Sequence, residues 1–470
     1  MINLNGYDKA IIDAAYFSKD LYRNLVTLCD EIGVRWIGTP GEVRARDFLK
    51  RKMEEYGLEE VHTEKFDFMG WFPQKSEVEF YPSIRTVGEI KSVPLIYSPS
   101  ADVEGDLIYV GHGTPLEFEL KKEEIRGNIV LTTNKAFPPF TDRMIPLDEK
   151  YRRCVELGAS GMMVMNERNM GNLCFTSLIR FFMKKDGEYC PAEELVEIPC
   201  VTISKETGER LKREISKGTV KLKASISTKV SFRKVTSWNV MGELKGGKCP
   251  DEKVIICAHY DGMFLSPAAI DNASGVSVLL GISETLSNLN TVTKGNPLDR
   301  TVKFIAFSAE EPGLKGSFSY VRDHEDELDK VRLLINMDEL AAGRIKGFRL
   351  QFPELVPLFK DLLKSMGLPL STHLDPFIDY TSDHFPFTLN GVPASLLWRW
   401  RYMGEYPTHQ YTHTEADTID KIEIRDLYEY VATIARCVLR VSNIPEEKWP
   451  VTRYPKEEVL KLLEKPITPY

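Results

Sequence analysis

The sequence predicts an α/β fold: a mainly parallel mixed sheet flanked by helices, interrupted by an inserted β-rich domain. Three observations carry that expectation. From Trp238 onward, apolar strand-like runs alternate with helical stretches, as in KVIICAHYD, SGVSVLLGISETLSNL, RTVKFIAFSAEE and VRLLINMDEL. Such alternation is the signature of parallel strands with helices on both faces. Between about residues 75 and 230 the texture changes to short β-type runs such as EVEFYP, GDLIYVG and GNIVLTT. A chain of 470 residues is also long enough for two or three domains, each with its own core.

Residues 1–75 form the N-terminal helical part of the same domain as the alternating region. SKDLYRNLVTLCDEIG carries Leu21, Leu25, Leu28 and Ile32 close to a helical period. After GTPGE a second helix runs through VRARDFLKRKMEEYG and stops at Gly57, and VHTEKFDF follows as a strand. Residues 76–230 are the inserted domain, with helices DEKYRRCVELG and KETGERLKREIS among its strands. Residues 231–445 form the alternating domain, which closes with the helix IEIRDLYEYVATIARCVLRVSN. Residues 446–470, rich in Pro and charge, are expected to cover the surface or fray.

Composition narrows the class. The chain is 43% hydrophobic and 28% charged with a net charge of −8, ordinary for a soluble globular protein. Lys and Arg are spread rather than gathered, which argues against a nucleic-acid partner. No apolar stretch approaches the ~20 residues that cross a bilayer, so no membrane partner is expected. MINLNGYDKAIIDAAYF lacks a basic segment followed by an apolar core, as a secretory signal would have. The eight cysteines form no C-x-x-C pair and no disulfide framework. These features point to a cytoplasmic protein, with a homo-oligomer compatible with all of them.

The chemistry concentrates at the ends of apolar runs. His259 ends VIICAH, Glu310 and Glu311 follow KFIAFSA, and Asp338 ends LLINM. Asp271 precedes NASG and an apolar helix, where it would serve equally as a helix cap. His413 sits in the polar loop THQYTHTEADT, with His409 as its competitor. Two imidazoles and three carboxylates are a mixed N/O ligand set suited to Zn²⁺, with Co²⁺ or Mn²⁺ as alternatives. Strand C-termini are where open α/β sheets gather reactive groups. Asp261, two residues after His259 on the same face of an extended segment, can accept the second ring N–H of that histidine. LLWRWRYMGEYPT alternates aromatics with arginines. There Trp398 could wall a side-chain pocket, or Arg399 could grip a terminal carboxylate, when the segment is not merely a strand end with one solvated face.

HYD…AIDNASG, FSAEEPGLKGS, NMD, TSDHFPF…GVPA and HTEADT, in that order, resemble the M28 family of co-catalytic zinc aminopeptidases. The likeness spans roughly residues 18–75 and 230–440. GNIVLTT and CVELGASGMMVMN of the insert more loosely resemble a protease-associated (PA) domain. The resemblance implies a peptidase acting on peptide substrates with two zinc ions per chain. His259 and Asp338 would hold one ion, Glu311 and His413 the other, and Asp271 would bridge them. The HTEADT pattern selects His413 over His409. Glu310 would be the general base and Asp261 the residue orienting His259. Asn272 stands where the family often has an acidic residue, which opens the question of how a substrate amine is held. Tyr380 and His384 both flank Ser382-Asp383, and either can stabilise the oxyanion. The implied activity is that of an exopeptidase removing N-terminal residues by means of a metal-held water. A carboxypeptidase or dipeptidase on the same site, or a single-zinc acyltransferase like glutaminyl cyclase, are the alternatives.

Overall fold

The structure is a computed structural model that describes residues 5–84, 90–134, 145–176, 182–185, 188–191, 197–218, 221–292, 295–340, 347–368, 373–397, 410–450 and 453–464. It divides into two compact units. One comprises Met1–Phe68, Thr236–His409 and Asp417–Lys465; the other comprises Met69–Val235, Gln410–Ala416 and Pro466–Tyr470.

The first unit is built on a mixed, mainly parallel sheet. The strand Cys249–His259 pairs in parallel with Arg300–Phe307 on one side and Val331–Asn336 on the other. Ala394–Leu397 extends the sheet in parallel beyond Val331–Asn336. Two strands run against their neighbours: residues 240–244 beside Arg300–Phe307, and Gly347–Leu350 beside Ala394–Leu397. Arg300–Phe307 and Val331–Asn336 are buried along their whole length. Strands covered on both faces have no solvent side, which is why their sequences read as continuous apolar runs rather than alternations. One core cluster joins Ile255, Cys257, Ile305, Phe307 and Leu334 to Tyr320 and Phe387.

Helices Asn5–Phe17, Ser274–Val292 and Ile424–Ser442 pack together in this unit. Gly281 is closely packed: a Cβ there would sit 2.8 Å from Val431 Cγ2 in helix Ile424–Ser442 and 3.4 Å from Leu21 Cδ1 in helix Asp20–Val26. Helix Pro40–Glu55 starts at the GTPGE turn with Pro in its first turn. Its buried Glu42 accepts hydrogen bonds from the Gly38 amide at 2.6 Å and from the hydroxyls of Ser308, at 2.8 Å, and Ser237. That carboxylate ties the N-terminal helices to the end of Arg300–Phe307. The described residues 446–450 and 453–464 are partly packed onto the unit. Trp449 and Val459 are buried, helix Lys456–Glu464 forms, and the Tyr454 amide donates to Gly391 O at 2.8 Å.

The second unit carries the expected short strands with helices among them. Ala101–Tyr109, Ile129–Thr133, Gly161–Met165 and Cys200–Ile203 pair side by side in parallel. Helices Pro115–Ile125, Leu147–Glu156 and Lys205–Lys217 alternate with them. Antiparallel strands Ser92–Pro94 and residues 223–228 flank this set. The unit is itself α/β. Pro115–Ile125 is set by a capping box, in which the Thr114 hydroxyl accepts the Glu117 amide at 3.1 Å and Glu117 accepts the Thr114 amide at 2.8 Å.

Candidate metal centre

Register brings the first candidate ligands level. His259 is paired with Phe307, and Cys257 with Asn336, so the chain ends just past these residues converge at one edge of the sheet. The ladder continues beyond the strands: the Tyr260 amide donates to Phe307 O and the Met337 amide to Cys257 O, each at 2.8 Å. His259 Nε2 lies 3.2 Å from Asp271 Oδ1 and 3.4 Å from Asp338 Oδ1. Its Nδ1 is 3.2 Å from the main-chain oxygen of Asp261. A proton on Nδ1 shared with that carbonyl leaves the Nε2 lone pair facing the two carboxylates, the tautomer a metal ligand needs.

Asp271 is not the cap of the helix that follows it. Asn272 takes that role, its Oδ1 accepting the Gly275 amide at 3.0 Å and the Glu339 amide at 3.3 Å. Asn272 Nδ2 donates to Met337 O at 2.8 Å, so this side chain is committed to main chain rather than to a substrate amine. Gly275 is required here, since a Cβ would fall 2.3 Å from Asn272 Oδ1 and 2.6 Å from Met337 O.

Glu310 and Glu311 leave the strand end through Ala309, whose φ of +56° lies in the left-handed region. Asp261 holds both: Oδ1 accepts the Glu310 amide at 3.1 Å and Oδ2 the Glu311 amide at 3.2 Å. Its carboxylate is 3.6 Å from His259 Nδ1, beyond hydrogen-bond length. The expected orienting bond to His259 is therefore made by the Asp261 carbonyl, while the carboxylate sets the Glu310–Glu311 turn.

The donor set fits a cation. His259, Asp271 and Asp338 each offer a ligand atom, and these lie within 4.8 Å of one another; Asp271 and Glu311 also come within 4.8 Å. Two donors ~2.0–2.1 Å from a tetrahedral ion are about 3.3 Å apart, the spacing measured from His259 Nε2. Two like charges ~4 Å apart repel by about 4 kcal/mol at an effective dielectric of ~20. Without a cation the buried cluster relieves this by holding protons. Burial, reinforced by the neighbouring carboxylates, pushes Glu310 and Glu311 well above the usual range. Burial alone would lower His259, but Glu310, Asp261, Asp271 and Asp338 outweigh it and hold the imidazole well up.

The remaining sequence candidates separate. His384 is buried, with Nε2 2.9 Å from Asp379 O and Nδ1 3.3 Å from Asn336 Nδ2. Both ring nitrogens are thus engaged inside the unit. Tyr380 is half-buried with its ring edge-on to Phe385. His413 lies in Gln410–Ala416 of the second unit with a left-handed φ of +61°. Its carbonyl accepts the Phe175 amide at 2.8 Å, and the nearby Glu415 carboxylate accepts the Leu173 amide at 2.9 Å. Trp398, Arg399 and His409 lie outside the described residues.

Asn336, Arg35 and Asp417 were not singled out by sequence. Asn336 Nδ2 donates to Ser382 Oγ at 2.7 Å, tying the Ser382–His384 turn to the strand that delivers Asp338. A polar residue within an apolar run gives no periodic signal that would mark Asn336.

Residues 239–438 match the model of peptidase family M28, a span holding every ligand candidate named above. Residues 239–438 are a peptidase family M28 domain. This M28 peptidase is a hydrolase acting on peptide bonds. It is 27% identical over 447 residues to aminopeptidase YwaD of Bacillus subtilis, covering 93% of this chain and 87% of that one. It is 24% identical over 358 residues to carboxypeptidase Q of Rattus norvegicus, covering 74% and 71%. The solved structure of BSAP, a zinc aminopeptidase from Bacillus subtilis, superposes with a TM-score of 0.66 at 23% identity, covering 93% and 98%. No helix among the described residues is long and apolar enough to cross a membrane.

Proposed function

We propose that this M28 peptidase is a zinc-dependent aminopeptidase that uses two ions per chain. The observation that carries the reading is the buried meeting of His259, Asp271 and Asp338, with Glu311 beside the shared Asp271. We assign His259 and Asp338 to one ion and Glu311 and His413 to the other, with Asp271 common to both. His413 enters on the HTEADT resemblance, and its left-handed backbone marks a position held against local preference. Zinc held by these residues would supply Lewis-acid chemistry, polarising the scissile carbonyl and lowering the pKa of water.

The protein's own groups do the rest. Glu310 takes one proton from the attacking water and returns it to the leaving amine. Its burial supports this role, because a carboxylate held above its usual range is basic enough to accept that proton. Asp261 fixes the Glu310 main chain. Tyr380 is assigned as the oxyanion donor in preference to His384, whose ring nitrogens are already engaged. The second unit is read as a PA-like domain, on the strength of GNIVLTT and CVELGASGMMVMN. A cytoplasmic location is supported by free thiols at seven described cysteines, six of them buried.

The test is a panel of aminoacyl chromogenic substrates, their N-acetylated forms, and N-blocked dipeptides with a free carboxylate. Cleavage of the free-amine substrates alone is expected. The similarity to carboxypeptidase Q makes N-blocked dipeptides the informative competitor, and preference for them would replace the aminopeptidase reading. On the preferred substrate Tyr380→Phe is expected to lower kcat more than it raises KM; the opposite split would make Tyr380 a ground-state binding group.

A further inference from the structure

We infer that Arg35 and Asp417 form a two-sided clamp on the main chain that carries Asp271, and that this clamp sets the affinity for the metal. The inference rests on the zinc reading above. Arg35 follows the first helices, in VRWIG, and its side chain is 0% exposed. Among the described residues its guanidinium donates only to main-chain carbonyls. Nε reaches Tyr260 O at 2.8 Å and Nη2 reaches Ala268 O at 3.0 Å. Nη1 donates to Leu28 O at 3.2 Å, Gly33 O at 3.1 Å and also to Pro267 O. A permanently charged, planar group with a fixed fork of donors is thereby used to lock a loop.

Asp417, which is 1% exposed, grips the same segment from the other polarity. Its carboxylate accepts the Ile270 amide at 2.7 Å and the Asp271 amide at 3.2 Å, and its main-chain oxygen accepts the Ala269 amide at 3.4 Å. Five successive residues, 267 to 271, therefore each give one main-chain group to Arg35 or Asp417. Ala268 within them has a φ of +51°, a conformation an alanine rarely holds unaided. The loop is also tightly packed: a Cβ on Gly262 would lie 2.4 Å from Ala268 Cβ and 3.5 Å from Arg35 Nη2.

The segment between the end of the His259 strand and the helix at Ser274 lacks a strand ladder to fix it. The ligand with the most demanding geometry, the one shared by both ions, is thus placed by two buried polar side chains from distant parts of the chain. Ligand positions must hold to within about 0.2 Å, and outer partners of ligands typically contribute 10–100-fold in metal affinity. Arg35 and Asp417 are positioning residues that act through Asp271.

The experiment is a zinc titration of metal-stripped full-length protein against a chromophoric chelator, with thermal unfolding recorded for each variant. Arg35→Met and Asp417→Asn are each expected to weaken zinc binding roughly 10–100-fold. Arg35→Lys should recover only part, since an ammonium has three donors and no fork. The double variant should lose less than the sum of the two, because both grip one segment. Val438→Ala, in the core of helix Ile424–Ser442, provides a destabilised control that should bind zinc normally. If Arg35→Met does not fold, Arg35→Lys and Asp417→Asn carry the test. Unchanged affinity in folded clamp variants, or a weakening that Val438→Ala shares at equal loss of stability, overturns the clamp. Wild-type protein that binds no zinc instead removes the metal reading on which it stands.

Discussion

Glu310→Gln is expected to leave the zinc content unchanged and to lower kcat by roughly 10²–10⁴-fold, the range for losing a positioned general base. The substitution is nearly isosteric, and the bond that places residue 310 comes from its main-chain amide to Asp261. The turn should therefore persist while the side chain can no longer take a proton. Glu311→Gln is the useful contrast, since the neighbouring carboxylate is assigned to the metal: it should lose zinc as well as turnover. Metal analysis with steady-state rates separates the two. A Glu310→Gln protein with near-normal turnover would remove the residue from the reaction, and one lacking zinc would make it a ligand.

Stripping the metal is expected to destabilise the protein increasingly as pH rises. The sign follows from the buried carboxylates. Burial holds Asp383 at about 7 and Asp417 at about 8, and Glu310 and Glu311 are also raised. Without metal the folded chain keeps protons that the unfolded chain releases from about pH 4 upward. The native state then binds more protons than the unfolded state, so stability falls with pH, by up to about 1.4 kcal/mol per pH unit for each such group. That loss runs from about pH 4 until each folded group titrates, near pH 7 for Asp383 and pH 8 for Asp417. His259, also raised, acts in the same direction, because stability gained from its protonated form disappears at higher pH. Bound divalent cations would supply compensating positive charge, and their affinity would itself grow as ligands deprotonate. The gap in Tm between zinc-loaded and stripped protein should therefore widen from pH 5.5 to pH 8. A constant gap would show that the carboxylate cluster is not what the metal stabilises.

His259, Glu310, Glu311 and Asp338 were legible as candidates because they follow apolar runs. In a parallel sheet such ends converge, and the observed pairing of His259 with Phe307 and Cys257 with Asn336 makes that convergence concrete. Less could be read where partners are main chain. Asp271 and Asn272 are equally good helix caps by composition, and only the bond from Gly275 to Asn272 separates ligand from cap. Arg35 bonds carbonyls alone, so no residue pattern in the sequence announces it. Asp417 lay inside the recognised HTEADT motif, yet its partners, the amides of Ile270 and Asp271, carry no sequence identity. Helix Pro115–Ile125 escaped because it buries only Phe118 and Ile125, too few for a visible apolar stripe. Its T-x-x-E start at Thr114 and Glu117 was the signal that could have found it.

The central claim is that one aspartate serves two cations, and calorimetric titration of zinc into stripped protein tests it most directly. The account predicts two zinc ions per wild-type chain, and loss or severe weakening of both in Asp271→Asn. A single ion per chain, or two ions bound undisturbed by Asp271→Asn, would contradict it.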